Sequence, residues 1–226
     1  AASPGAEAAA RRLGVAADRI TTIAPGIAAD EAAAPSRNEI AVGLGLDPER
    51  QWTLCVAPLE AESRLERLVW AIDQLGVVRK DLQHVLVGAG PLLGRVLRRS
   101  RVQEIAERLV VVPQTGLLPG LLRHVRLVWQ SGTVALGGAV LDAMAAGVPV
   151  VTVESDAARQ LVEDGQTGWI APVLPESEFP RRAFTVLEDE PRAARLAAAG
   201  ASRAAECFPA AASVAAHVAL YERIAG

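Results

Sequence analysis

The sequence predicts an α/β protein built on a doubly wound parallel sheet, with further helices at its C-terminal end. Two observations carry this. Between Trp52 and Ala171, short apolar runs rich in β-branched residues alternate with longer segments of helical period. Such alternation marks repeated strand-helix-strand units, whose parallel strands need a crossover helix. Beyond Glu176 the chain becomes Ala-rich and helical to its end. At 226 residues, 51% of them hydrophobic, it is long enough for one large core or for a domain with an appendage.

The elements follow in order. Residues 4–13 read as a helix with a proline near its start, and Ile20 to Ala24 as a short strand. Residues 28–36, rich in Ala, Asp, Pro and Ser, read as a loop or linker. Trp52 to Ala57 is a buried strand. Ser63 to Lys80 is amphipathic, with Leu65, Leu68, Val69, Ile72 and Leu75 at helical spacing and Ser63 as its cap. Val85 to Gly88 is a strand, and Pro91 opens the next helix. Leu109 to Val112 is a strand, Leu117 to His124 a short helix, and Leu127 to Trp129 a strand. A helix from Gly138, a strand Val150 to Val153, a helix Asp156 to Glu163 and a strand Trp169 to Ala171 complete the alternation. The terminal helices break near Pro191 and Pro209. The organisation expected is a segment 1–36 that precedes or links, and a Rossmann-like domain over 37–226.

Composition excludes several classes. The formal charge of −3 gives no general attraction to nucleic acid or anionic lipid. No apolar run reaches bilayer length, and no basic-apolar-small leader opens the chain. Cys55 and Cys207 make neither a disulfide framework nor a zinc site, which fits a reducing cytoplasm. His84, His124 and His217 lack metal-ligand spacing, so no metal is expected. No nucleophile triad can be identified, and the catalytic residues stay unassigned.

Sheets of this kind bind ligands beyond the carboxyl ends of their strands. Four loops fall there: Pro58 to Arg64, Gly88-Ala89-Gly90, Pro113 to Gly116 with Gln114, and Ser131 to Gly138. In the last, Gly137-Gly138 feeds a helix whose first amides are unpaired and whose dipole is positive. Gly137, Gly138 and Ala139 can present N–H groups to a phosphate, and Asp142 lies about one turn on, within reach of sugar hydroxyls. Competing readings exist for each piece. Asp142 also suits a helix start electrostatically. Arg64 and Arg67 also read as a solvated face with Glu60, Glu62 and Glu66. The Gly88-x-Gly90-x-x-x-Gly94 run approximates a dinucleotide turn, but the next strand ends Val112-Pro113-Gln114 without the carboxylate such a site wants.

The stretch S-G-T-V-A-L-G-G-A-V-L-D-A-M-A-A-G-V-P-V-V-T-V, Ser131 to Val153, resembles the glycine turn and E-A-M-A-x-G-x-P-V-V run of the group 1, or family 4, glycosyltransferases of the two-Rossmann-domain (GT-B) type. R-I-T-T-I-A-P-G-I (Arg19 to Ile27), V-L-V-G-A-G-P (Val85 to Pro91) and L-V-E-D-G-Q-T-G-W-I-A-P (Leu161 to Pro172) are similar to its interdomain turn, second strand and late loop. The resemblance implies the donor-binding C-terminal half of a retaining hexosyltransferase. It also implies a nucleotide-sugar as donor substrate, no cofactor, and an N-terminal acceptor domain of which residues 1–24 are a remnant.

The departures lie in the charges. The two family glutamates correspond to Val134 and Asp142. Pro58 stands where the family has a diphosphate-binding Arg, and Ser63 where it has a Lys. Arg64, one residue on, is the nearest replacement, and Ala28 takes the place of an Asp. Pro58 donates nothing from its side chain or backbone nitrogen. The donor-binding set is therefore Gly137, Gly138, Ala139, Asp142, Ser131, Arg64, Gly88, Gly90 and Gln114. The expected function is sugar transfer by a full-length protein, with the isolated half inactive. The alternative is a non-catalytic binding or scaffolding domain. An epimerase of the same architecture has no positive motif. Base, sugar, acceptor and oligomeric state are not encoded in these motifs.

Overall fold

The structure, a computed structural model, describes residues 1, 3–28, 35–132 and 138–225. Helix α1 (Pro4–Arg12) opens on Ser3, whose side chain accepts from the Ala6 amide. Residues 20–24 form no strand, contrary to expectation. They have no sheet neighbour. The Thr21 carbonyl accepts from the chain's first amino group at 2.7 Å, and the Ala24 carbonyl from the Ser213 hydroxyl at 3.0 Å. Helix α2 (Arg37–Leu44) was not anticipated, although Ser36-x-x-Glu39 is a capping box in sequence and in fact. It ends at Gly45 in the left-handed conformation.

The alternation then runs β1 (Gln51–Val56), α3 (Leu65–Val78), β2 (Leu82–Val87), α4 (Leu93–Val102), β3 (Leu109–Val112), α5 (Leu118–Leu122), β4 (Val125–Gln130) and α6 (Gly138–Ala145). It continues through β5 (Val150–Val153), α7 (Asp156–Leu161), β6 (Trp169–Ala171), α8 (Glu178–Glu188), α9 (Glu190–Cys207) and α10 (Ala210–Ala225). Helix α4 begins at Leu93 rather than Pro91, because the Leu92 amide donates to the Leu59 carbonyl at 2.9 Å and holds that turn against the loop after β1.

The six strands are all parallel, in the order β3-β2-β1-β4-β5-β6. Strand order reverses between β1 and β4, and there the crossovers change face. On one face α3, α4 and α8 pack with Leu68, Ile72, Val96 and Phe179, and Trp129 stacks on Phe179 at 5.4 Å. On the other face α2, α5 and α6 contribute Ile40, Leu121, Leu141 and Met144. Strand β2 shows how the pleat feeds both: Leu82 and Leu86 enter the first core, Val85 and Val87 the second. Each fully buried Leu or Phe stabilises the fold by about 1.5–3 kcal/mol. Helix α10 has no buried residue, and Val214, Val218, Tyr221 and Ile224 stand exposed along it. Among the described residues no helix is long and apolar enough to cross a membrane.

Candidate functional site

The crevice at the switch point is built from backbone packed against backbone. A Cβ placed on Gly132, just after β4, would lie 2.5 Å from the Glu62 oxygen and from the Ser63 Cα. Only glycine lets these two loops touch. A Cβ on Gly88 would lie 1.9 Å from the Ala57 carbonyl oxygen, and one on Gly90 2.6 Å from that of Leu59. The Leu59 amide donates to the Ala89 carbonyl at 2.9 Å. Gly88 and Gly90 thus serve close approach of the β1 and β2 loops. Pro58 is exposed, and so is Gln114 after β3.

Ser131 and Ser63 join the two loops. Ser131 is fully buried and its hydroxyl donates to the Ser63 carbonyl at 2.8 Å, so this side chain is committed to holding the β4 loop. Ser63 does not cap α3. Its own hydroxyl is buried without a hydrogen-bond partner. The cap position is taken by Arg64, in the left-handed conformation at φ 48° and ψ 45°, with no side-chain cap bond. The solvated-face reading of Arg64 and Arg67 holds for Arg64, which is exposed, and fails for Arg67, which is only 8% exposed. The Arg67 guanidinium donates to the carbonyls of Ser131 at 3.3 Å and Val173 at 3.2 Å, and meets Glu176 at 3.4 Å. One side chain thereby ties the loops after β4 and β6 to α3. Its buried neighbour Ala71, four residues on, is the sequence signal that Arg67 sits on the shoulder of the apolar stripe.

The other wall is α6. Gly138 is its first residue and is exposed, and among the described residues a Cβ there would meet nothing within 4 Å. Its N-terminal amides face the strand ends at the positive pole of the helix. Ala139 is half-buried beside it, and Asp142 follows one turn later, also half-buried. Burial pushes the Asp142 carboxyl up from its ordinary value. Asp142 lines a cavity of about 470 Å³ with Ile27, Ala28, Leu118, Leu122 and Arg123. Gly137 and Val134 lie in the segment 133–137, outside the described residues.

The structure therefore brings Gly138, Ala139 and Asp142 together on α6, and it uses Ser131, Gly88 and Gly90 to shape the loops around them. Arg64 lines a different cavity, between α3 and α4. Among the described residues no group of three or more His, Cys, Asp or Glu side chains gathers as a metal site would. The arrangement offers helix-terminal amides for an anion and a carboxylate one turn away for hydroxyl groups.

Residues 50–189 match the family described as Glycosyl transferases group 1. A lipopolysaccharide core biosynthesis mannosyltransferase, LpsB of Rhizobium meliloti (strain 1021), is 27% identical over 200 residues, covering 83% of this chain and 56% of that protein. Among solved structures, Anabaena HepE in complex with UDP and glucose matches 100% of this chain and 62% of its own, with a TM-score of 0.86 at 20% identity. A glycosyltransferase from Rickettsia africae ESF-5 matches 99% of this chain and 62% of its own, with a TM-score of 0.86 at 12% identity. The chain thus spans a little over half the length of these relatives. It carries the parallel sheet of the fold they share, and it belongs to the group 1 glycosyltransferases.

Proposed function

We propose that this chain is the donor-binding half of a retaining glycosyltransferase, holding a nucleotide-activated sugar whose glycosyl group passes to an acceptor hydroxyl. The observation that carries the reading is the N-terminus of α6, where a Cβ on Gly138 meets no described atom within 4 Å, with Asp142 one turn on, lining a cavity of about 470 Å³. The diphosphate takes the α6 amides, and the Asp142 carboxylate accepts from ribose hydroxyls. As the anomeric C–O bond breaks, its electron pair goes to the departing diphosphate, and the aligned amides stabilise that charge. The acceptor oxygen bonds to the anomeric carbon on the face the diphosphate leaves, and its proton departs with the nucleotide. The names of the relatives, a mannosyltransferase and a structure holding UDP and glucose, support this class.

The same proposal needs neither metal nor cofactor, because helix amides supply the positive charge. It needs an acceptor domain, for which the exposed apolar residues of α10 are a fitting seat. Without that domain the chain positions no acceptor and excludes little water, so it should not transfer sugar alone. A cytoplasmic setting belongs to the same reading, supported by the free thiols of Cys55 and Cys207. A second reading, a binding domain without catalysis, is favoured by the loop after β1. Pro58 has no charge to offer, and Ser63 is buried behind Arg64.

Two experiments separate these. Calorimetric titration with UDP-, GDP- and ADP-sugars should find one binder among them, and no binding to any would end both readings of the α6 site. Donor hydrolysis and transfer by a protein containing the acceptor domain should be slow, and should rise in the pair Pro58→Arg with Val134→Glu. Ordinary turnover by the unmodified protein would end the reading without catalysis.

A further inference from the structure

We propose that the cavity between α3 and α4 is a second binding site, for a small phosphate ester that carries a planar ring. It has a volume of about 480 Å³ and shares no described lining residue with the Asp142 cavity. Four guanidinium groups, of Arg64, Arg67, Arg95 and Arg99, face it against the two carboxylates of Glu66 and Glu176. Arg67 is committed to backbone carbonyls, and Arg95 pairs with Glu66 at 3.1 Å. Among the described residues the side chains of Arg64 and Arg99 make no hydrogen bond or ion pair. Two unpaired cations therefore border one concavity, and the N-terminal turns of α3 and α4 meet there with their positive ends.

Three further features specify the ligand. The indole of Trp70 and the side chain of Leu92 form an apolar wall beside the arginines. A flat ring fits against indole and guanidinium, while a phosphate takes the charges. Helix α4 carries Arg95, Arg98, Arg99 and Arg101 and no acid, so its field attracts anions beyond the cavity itself. Arg64 holds a left-handed backbone, which a residue with a Cβ adopts only at a cost. That conformation points the chain's only cation of the β1 loop, residues 57–64, into this cavity. The site is concave and bounded, which suits a small molecule.

The test is calorimetric titration of the whole chain with adenosine monophosphate and with inorganic pyrophosphate. Both should bind one site, the ring-bearing probe more tightly. The pair Arg64→Gln with Arg99→Gln should weaken both at least tenfold. Trp70→Leu should erase the preference for the monophosphate. Glu66→Gln, which frees Arg95 and removes a negative charge, should tighten binding several-fold. Binding should persist in Gly138→Val, where α6 is blocked. Thermal melting identifies any variant that has lost its fold, and Arg99→Glu alone, at an exposed site, then replaces the pair. No binding, binding indifferent to the arginine changes, or loss in Gly138→Val would overturn the proposal. Equal affinity for the two probes would overturn the ring.

Discussion

Replacing Gly138 with valine should weaken nucleotide-sugar binding by about tenfold or more and leave the fold unchanged. Among the described residues a Cβ at this position meets nothing within 4 Å, and the backbone needs no positive φ. Valine is a somewhat better helix residue than glycine, so stability should move by less than about 0.5 kcal/mol. The new methyls would occupy the space from which a diphosphate reaches the first amides of α6. A charge-assisted hydrogen bond contributes about 1.5–3 kcal/mol, so losing one lowers affinity by about tenfold to a hundredfold. Calorimetry with the best-bound nucleotide-sugar gives the affinity, and thermal melting gives the stability. Gly132→Ala is the contrasting control. Its Cβ meets backbone at 2.5 Å, so the loops must part at a cost of about 1–3 kcal/mol. Undiminished binding in a folded Gly138→Val protein would refute the reasoning, because the ligand would then not rest on α6.

Three other outcomes follow from buried and half-buried polar groups. Burial, with a smaller effect of Arg108, lowers the His84 pKa to about 3, while the unfolded chain titrates near 6.5. The unfolded state therefore binds more protons between those values, and stability present above pH 6.5 is lost as pH falls toward 3. Relative to His84→Gln, the native chain should lose about 2 kcal/mol between pH 7 and pH 5 in urea unfolding. An unchanged difference would contradict this. Arg67→Met should destabilise by about 2–4 kcal/mol, with Arg67→Lys recovering only part, because one ammonium cannot span both carbonyls. Equal melting of the lysine variant and the parent would show that the fork is dispensable. Asp142 has a folded pKa above its unfolded one, so its ionisation weakens the fold as pH rises through the folded value. Asp142→Asn should melt no lower than the parent at pH 7 yet bind donor at least about tenfold more weakly. A matching fall in stability would make Asp142 structural.

What the chain revealed before its structure was the buried, periodic part. The bounds of β3, β5 and β6 agree with their apolar runs, since these strands are covered on both faces and flanked by Gly or Pro. Helix α2 was equally legible in Ser36-x-x-Glu39, but its short apolar face hid it beside a loop-like composition. Ile20 to Ala24 has strand composition without a partner strand, and pairing is not a local property. The charged residues were hardest. Arg67 is buried because carbonyls at Ser131 and Val173, far away in sequence, come to meet it. Arg64 turns toward α4 because of a backbone conformation that composition does not reveal.

Thr21 has a consequence for mechanics. Its hydroxyl accepts from Arg223 at 2.8 Å, near the end of α10. A few residues on, Ile27 bridges to Pro209. Residues 21–27 are thus stitched to the C-terminal helices at Thr21, Ala24 and Ile27, so this strap moves with α10.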